Sequence, residues 1–331
     1  MFDGSLNGHK LRTVMNFRMI RRVLVLILAG CAEICASPFT FTTIDFPGSL
    51  FTSPVAINDP GDIVGQYDTS HGFLLSNGLF STIDYPGALD TALTGITNSG
   101  EIAGFTNGTI GPTFLLSGDV YSTVAFPGAN RTAVFGISNS GKLVGQYFVG
   151  FAQHGFVESN GVFNTIDVAG AFAANPFGVN DAGQIVGEYC NSHAFLLSGG
   201  AFTNLDVPGS VSSAATGIND SGQIVGWYNG AAGRHAFLRS GGTLSTIDVT
   251  GAFGTAATGI NDSGQIVGGY SDSAGFHGFL ATPTPEPASV LVLAFGPRRH
   301  PDHAKTLPFG PLVIVPFPTS QQQLSGIRDI L

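Results

Sequence analysis

Histidine and aspartate recur at matching places along this chain, and both residue types can bind metals or transfer protons. The histidines open segments such as His-Ala-Phe-Leu, and the aspartates end segments such as Phe-Ser-Thr-Ile-Asp. The positions are His71, His154, His193, His235 and His277 for the first column, and Asp45, Asp84, Asp167, Asp206 and Asp248 for the second. Equivalent positions of a repeat are spread around a fold, and a buried imidazole needs hydrogen-bond partners. We therefore expect structural His–Asp pairs with largely buried histidines, above all His71, His193 and His235, and neither a metal site nor a cofactor.

Both columns belong to a repeat of about forty residues. A turn glycine marks it at Gly61, Gly100, Gly141, Gly183, Gly222 and Gly264, with intervals of 39, 41, 42, 39 and 42 residues. Each unit contains four short segments in which apolar and small or polar residues alternate, which is typical of β-strands. Turns such as Asn-Asp-Ser-Gly and Ser-Gly-Gly join the segments as hairpins. A four-stranded antiparallel sheet of this length has the size of a propeller blade, so the sequence predicts an all-β, six-bladed β-propeller over residues 37–283.

The two ends of the repeat array predict how the ring closes. Residues 39–48 form a fourth-type strand with no complete unit before it, and residues 277–281 form a third-type strand with nothing after it. Two open edges would be free to pair with other chains. We therefore expect residues 39–46 to pair with residues 277–281 in the last blade. An open solenoid is the alternative.

The His-Ala-Phe triplet, the Gly-Ile-Asn-Asp-x-Gly-Gln-Ile-Val-Gly turn and the spacing recur together over residues 39–281. In this combination the chain resembles the HAF-type extracellular repeat family. The resemblance implies an exported repeat protein. It implies no defined activity.

Residues 1–36 have the pattern of an export signal that follows an over-long start. Three arginines precede an apolar stretch at residues 23–29, and small residues follow as far as Ala36. Cleavage after Ala36 would release a soluble chain, and this interpretation is favoured. Lipidation of Cys31, within a Leu-Ala-Gly-Cys box, stays open as the alternative.

The C-terminal part predicts a sorting segment at residues 284–299. Pro285-Glu286-Pro287 is followed by an apolar run and then by two arginines, in the order that resembles a PEP-CTERM sorting signal. That resemblance implies processing by a membrane protease of the exosortase type. The apolar run, residues 288–296, is shorter than the roughly 20 residues that span a bilayer. Residues 300–331 match no signal, and we expect an irregular tail that is either disordered or the product of a frameshift.

Composition limits the partners. The net charge is −9, with 13 Lys and Arg residues in 331, which argues against nucleic acid and against an anionic membrane surface. Membrane contact is expected only through the signal and sorting segments. We expect the export and sorting machinery and an extracellular polysaccharide or another surface protein as partners.

Function is predicted from where the repeat is broken, since one site cannot occupy six equal places. The breaks hold no paired acids, no nucleophile elbow and no phosphate-binding loop, so an exported surface or extracellular-matrix propeller without catalysis is favoured. A carbohydrate-active propeller enzyme, a glycoside hydrolase or lyase, is the alternative. Variable loops on a rigid scaffold usually carry recognition. We expect a ligand to contact the variable end of the blades, at Arg131, Trp227, Tyr228 and Arg234.

Overall fold

The computed structural model describes residues 38–106, 111–190 and 192–284, together with two short strands near the C-terminus. The signal segment and the Pro-Glu-Pro motif predicted from the sequence lie outside the described residues. The two short strands, Val290–Val292 and Ile314–Pro316, pair with each other in antiparallel fashion. Within the described parts of the chain, no helix is long and apolar enough to cross a membrane.

The described residues form six four-stranded antiparallel sheets, one for each repeat. Blade 1 consists of β2 (Thr52–Ile57), β3 (Ile63–Tyr67), β4 (His71–Ser76) and β5 (Leu79–Ile83), and blade 2 of β6 (Thr91–Ile96), β7 (Ile102–Thr106), β8 (Thr113–Ser117) and β9 (Val120–Val124). Blade 3 consists of β10 (Arg131–Ile137), β11 (Leu143–Val149), β12 (Ala152–Ser159) and β13 (Val162–Ile166), and blade 4 of β14 (Ala174–Val179), β15 (Ile185–Tyr189), β16 (His193–Ser198) and β17 (Ala201–Asn204). Blade 5 consists of β18 (Ser212–Ile218), β19 (Ile224–Gly230), β20 (Gly233–Ser240) and β21 (Thr243–Thr246), and blade 6 of β22 (Gly254–Ile260), β23 (Ile266–Ser271), β24 (Phe276–Pro283) and β1 (Phe39–Ile44).

The six sheets form a six-bladed β-propeller, as the repeat predicts. Strand β1 supplies the outer strand of blade 6 and pairs with β24 from Phe39 opposite Pro283 to Ile44 opposite Gly278. The predicted closure between the first and last repeat strands is confirmed. This pairing covers the edge of β24, which would otherwise be free in the last blade.

Each blade packs on the preceding one through a phenylalanine of its third strand. These rings are essentially inaccessible to solvent, and they are Phe73, Phe114, Phe156, Phe195, Phe237 and Phe279. The neighbouring second strand carries a glycine beside each ring, because a side chain there would collide with the ring and with a first-strand carbonyl. At Gly226, for example, an added methyl group would meet the carbonyl oxygen of Ala214 and the ring of Phe237. The Ile-Val-Gly and His-Ala-Phe motifs are therefore two halves of one packing unit.

The strand order gives the propeller two different ends. The turn face carries the Asn-Asp-x-Gly turns and the turns between third and fourth strands, whereas the loop face carries the longer, variable links. Strand β24 runs from the loop face to the turn face, and β1 starts opposite its end. The chain therefore enters the propeller at Phe39 and leaves it at Pro283 on the turn face.

Candidate functional site

A β-bulge in the first strand of every blade aims one side chain into the central channel. The six bulged positions are Val55, Thr94, Phe135, Phe177, Thr216 and Thr258. Bulges commonly redirect a side chain in this way. Each threonine hydroxyl donates to a carbonyl of the next blade, at 2.9–3.0 Å. The other three positions carry apolar side chains instead, so the channel wall is not uniform.

These six residues line a channel cavity of about 440 Å³. Second-strand residues complete its wall, at the variable position of the Ile-Val-Gly-x-Tyr motif: Gln66, Phe105, Glu188 and Trp227. The remaining two blades carry Gln146 and Gly269 at this position. The second strand therefore places a different chemical group at the channel in almost every blade.

Towards the turn face, the channel narrows at a ring of apolar residues. They are Ile57, Ile96, Ile137, Val179, Ile218 and Ile260, and they line both the channel cavity and a smaller cavity of about 80 Å³ at the turns. Around the smaller cavity, a backbone amide of each blade donates to a side-chain oxygen of the next blade, at 2.7–2.9 Å. The accepting residues are Asn98, Asn139, Asp181, Asp220, Asp262 and Asp59. This ring of hydrogen bonds ties the six turns together.

A third cavity, the loop-face cavity, lies between blades 5, 6 and 1 and has a volume of about 500 Å³. Trp227 lines both this cavity and the channel cavity. The Arg234 guanidinium lies 4.3 Å from the centroid of the Trp227 ring, in a cation–π contact. Arg234 Nε also donates to Asn229 Oδ1 at 3.3 Å. The ring and the amide fix the guanidinium at the cavity wall.

Blade 6 shapes the same cavity with an aromatic pair. The Phe276 ring covers Gly269, where a side chain would collide with it. Phe276 also stacks on Phe51 of blade 1, with ring centroids 4.8 Å apart. Phe253 adds a largely exposed ring from the link before blade 6. The loop-face cavity therefore combines one cation with three aromatic rings.

Two of the four residues predicted to contact a ligand lie elsewhere. Tyr228 alternates with Trp227 along β19, so its side chain points to the other side of the sheet, where the hydroxyl lies 3.1 Å from Thr246 Oγ1. Arg131 covers the ring of Phe148 at 4.1 Å, in blade 3. Neither residue lines the channel cavity or the loop-face cavity. The structure brings together only Trp227 and Arg234 of this set.

Each histidine of the repeat lies beside the aspartate of its neighbouring fourth strand. The Nδ1 atoms lie 2.6–3.1 Å from carboxylate oxygens in the pairs His71–Asp84, His154–Asp167, His193–Asp206, His235–Asp248 and His277–Asp45. The prediction that the histidines are largely buried is wrong for His71 and His193, whose side chains are 45% and 47% exposed. The third strand starts at the loop face, and its first side chain is therefore only partly covered.

In three of the five pairs, the aspartate also accepts a hydrogen bond from a backbone amide of the third strand. Asp206 accepts from the Ala194 amide at 2.9 Å and from Ser213 Oγ at 2.9 Å. Burial acts to raise the pKa of Asp206, but hydrogen bonds from Asn204, His193, Ser213 and the Ala194 amide outweigh it and lower the pKa below its ordinary value. Asp206 therefore contributes as an ionised acceptor that ties neighbouring strands together.

Glu188 is the carboxyl group of the channel cavity. Asn175 donates to its Oε1 at 3.4 Å, and Gln153 in turn donates to the Asn175 side chain and to Gln146 Oε1. Burial raises the pKa of Glu188, and the hydrogen bond from Asn175 opposes this in part. Within the described residues, no ion pair joins Glu188 to a cationic side chain.

Three aromatic residues of the channel, Phe105, Phe135 and Phe177, were not predicted from the sequence. Phe135 and Phe177 replace the bulge threonine of other blades, and their rings are 5.6 Å apart. Phe105 of the second strand of blade 2 contacts Phe135, with ring centroids 6.1 Å apart. A comparison of the residue before each Gly-Ile, repeat by repeat, would have found Phe135. Only the bulge shows that this position faces the channel.

Metal ligation finds no support in the described ranges. No three His, Cys, Asp or Glu side chains there are grouped so that they could hold a metal ion. The five His–Asp pairs belong to five different blades, and this separation keeps their ring nitrogens apart.

No protein-family model matches the chain, and no curated protein matches it. Solved structures show similarity at low identity. A streptogramin B lyase structure is 11% identical, with a TM-score of 0.47, and the match covers 74% of this chain and 98% of that one. YCF48 from Cyanidioschyzon merolae is 9% identical, with a TM-score of 0.44, over 73% and 98% of the two chains. The β-propeller domain of the Trilobed protease from Pyrococcus furiosus is 9% identical, with a TM-score of 0.45, over 71% and 96%.

Proposed function

We propose that this chain is an exported HAF-type repeat protein of the cell surface or extracellular matrix, and that its loop face binds an acidic polysaccharide. The Trp227–Arg234 pair carries the proposal, because it stands where the repeat is broken and at the wall of the loop-face cavity. Among the described residues that line this cavity, Arg234 is the one charged group. An unopposed guanidinium favours a ligand with carboxylate groups.

The other groups of the cavity suit a sugar. Hydroxyl groups of Ser53 and Ser271 line it beside the aromatic rings. Aromatic rings present an apolar body to the C–H face of a sugar, and the hydroxyl groups exchange hydrogen bonds with its oxygens. Arg234 Nε is bound by Asn229, and the terminal nitrogens are the donors that a uronic acid carboxylate would meet in a forked arrangement.

The path of the chain supports display of this face. The predicted export and sorting segments flank the propeller, and the chain enters and leaves it on the turn face. A propeller held through either end would therefore present the loop face, with Arg234, away from the attachment. Fusion of residues 15–36 to a reporter enzyme that lacks its own leader tests the export part, because secretion of the reporter is expected.

A carbohydrate-active enzyme is the alternative for the same fold. Hydrolysis of a glycosidic bond commonly uses two carboxyl groups placed on either side of the bond. Among the described residues that line the channel cavity and the loop-face cavity, Glu188 is the single carboxyl group. We therefore propose binding without catalysis.

The binding test uses the single tryptophan of the chain as a reporter. Titration with polygalacturonate is expected to change Trp227 fluorescence, and neutral dextran is expected to leave it unchanged. Arg234→Ala should weaken polygalacturonate binding by about tenfold or more, the effect of losing one charged hydrogen-bonded contact. Arg131→Ala is the matched control, since Arg131 also covers an aromatic ring but lines neither cavity.

Two results would contradict the proposal. Equal binding of polygalacturonate by the Arg234→Ala variant and the unaltered protein would remove the assigned site. Shortening of the polysaccharide during the titration, measured by size-exclusion chromatography, would show the enzymatic alternative instead.

A further inference from the structure

The channel cavity differs from the loop-face cavity in its charged group and in its aromatic lining. Its aromatic residues follow one another around the wall, from Phe105 in blade 2 through Phe135 in blade 3 and Phe177 in blade 4 to Trp227 in blade 5. The first three rings contact each other in sequence, at 6.1 Å and 5.6 Å between centroids. Four rings therefore form an arc around more than half of the ring of blades.

One carboxyl group lies within this arc, in blade 4. Glu188 lies on β15, beside the strand that carries Phe177, and the Asn175–Glu188 hydrogen bond holds it towards the cavity. The described residues that line the channel cavity include no Lys, Arg or His, so the carboxylate is not neutralised there. Burial raises the pKa of this carboxyl group, and the hydrogen bond from Asn175 opposes the rise in part.

Aromatic faces carry partial negative charge, and a carboxylate adds a full one. An arc of such faces around a single carboxylate is the arrangement that binds organic ammonium groups in water. We infer that the channel cavity is a binding site for a small organic cation, whose ammonium group lies among Phe135, Phe177 and Glu188. The cavity volume, about 440 Å³, is in the range of small-molecule sites, about 300–1,000 Å³.

This site does not depend on the proposed polysaccharide site. The two cavities share Trp227, Thr216 and Thr258, but their charged groups are different residues of opposite sign. Arg234 lines only the loop-face cavity, and Glu188 lines only the channel cavity. Each proposal can therefore fail while the other holds.

Calorimetric titration with choline tests the inference, with 3,3-dimethylbutan-1-ol as a neutral compound of nearly the same shape. Choline is expected to bind at least about tenfold more tightly than the alcohol, because only the cation is attracted by the aromatic faces and the carboxylate. Glu188→Gln should weaken choline binding by a similar factor. Phe177→Leu keeps the apolar volume without the aromatic face, and should also weaken it.

Glu101→Gln is the matched control. Glu101 lies at the turn face, and glutamine stands at the equivalent place in blades 4, 5 and 6, as Gln184, Gln223 and Gln265. This variant should bind choline as the unaltered protein does. Arg234→Ala should also leave choline binding unchanged, and Glu188→Gln should leave polygalacturonate binding unchanged.

A second pair of ligands distinguishes the source of the ammonium group. Glucosamine carries the cation on a sugar, and N-acetylglucosamine is its neutral counterpart. Binding of glucosamine but not of N-acetylglucosamine, lost in Glu188→Gln, would support the inference and point to an amino sugar. Equal binding of choline and the alcohol, or no binding of choline and glucosamine at millimolar concentrations, would overturn it. So would unchanged choline affinity in a Glu188→Gln protein that remains folded by circular dichroism.

Discussion

The imidazole Nδ1 of His277 lies 3.0 Å from a carboxylate oxygen of Asp45, a residue 232 positions earlier in the chain. Four other blades contain the same pair 13 positions apart, for example His235 and Asp248. The repeat thus completes its last blade with a strand from the beginning of the chain. The geometry of the His–Asp pair is the same, but the sequence separation differs because the ring closes there.

Closure should contribute a large part of the stability. We compare a chain that begins at Pro38 with one that begins at Pro47 and so lacks β1. Phe39 and Ile44 of β1 are buried, and their loss removes about 3–6 kcal/mol of hydrophobic stabilisation. The shorter chain should unfold at clearly lower denaturant concentration, measured by circular dichroism.

Substitution of Asp45 alone is the control for closure. Asp45→Asn keeps the strand and its backbone pairing, and should therefore cost much less than removal of the strand. Equal unfolding midpoints for the chains that begin at Pro38 and Pro47 would contradict a closed ring.

The second-strand glycine should be intolerant of any side chain. Gly226→Ala would drive a methyl group against the Ala214 carbonyl and the Phe237 ring, so a loss of about 3 kcal/mol is expected. Gly230→Ala in the same strand is the control, because its nearest neighbours, Tyr228 and His235, lie at ordinary contact distances of 3.5 and 3.6 Å. Urea unfolding measures both variants. Similar losses at the two positions would argue against close packing at Gly226.

The ring of turns should be stabilised by removing one of its charges. Burial raises the pKa of Asp262 above its ordinary value of 3.8, the Asp220 amide opposes this, and the carboxylates of Asp59, Asp220 and Asp181 add to the rise. Asn98 and Asn139 show that an amide oxygen can accept the same hydrogen bond. Asp262→Asn should therefore increase the free energy of unfolding at neutral pH, by about 0.5 kcal/mol once solvent screening is allowed for.

The pH dependence of the stability gained by Asp262→Asn tests this electrostatic explanation. Because the pKa of Asp262 is raised on folding, the folded protein holds the proton more tightly than the unfolded chain does. The contribution of Asp262 to the free energy of unfolding therefore falls as pH rises from 3.8 through the raised pKa. The advantage of Asp262→Asn should be full at neutral pH and should disappear as pH falls below 3.8. An advantage that grows in acid would contradict the electrostatic explanation.

The histidines should act through hydrogen bonds and not through a metal. His235→Ala should lower the free energy of unfolding by about 1 kcal/mol, because Asp248 loses its hydrogen bond to Nδ1. Addition of EDTA or Zn²⁺ should leave the melting temperature of the unaltered protein unchanged. A clear shift with either reagent, measured by differential scanning fluorimetry, would assign the histidines to a metal after all.

The candidate site could be predicted only in part. Trp227 and Arg234 were found because they break the repeat at its variable end, and the structure places them together. Tyr228 is adjacent to Trp227 in sequence, yet it lies on the other side of β19, because successive strand residues alternate between faces. Phe177 was missed, because a single-residue bulge decides that it faces the channel.

The sequence by itself determined the number of blades, the strands of each blade and the pairing between the two ends of the repeat array. Hairpin turns and strand alternation are local signals, and they occur in each of the six repeats. The tertiary structure alone decided what the interior of the ring contains. Glu188 and Phe135 are far apart in the chain and belong to different blades, and they line one cavity because six inner strands converge on a common axis. Convergence of this kind depends on how the blades are arranged around the axis, and no local pattern of residues encodes it.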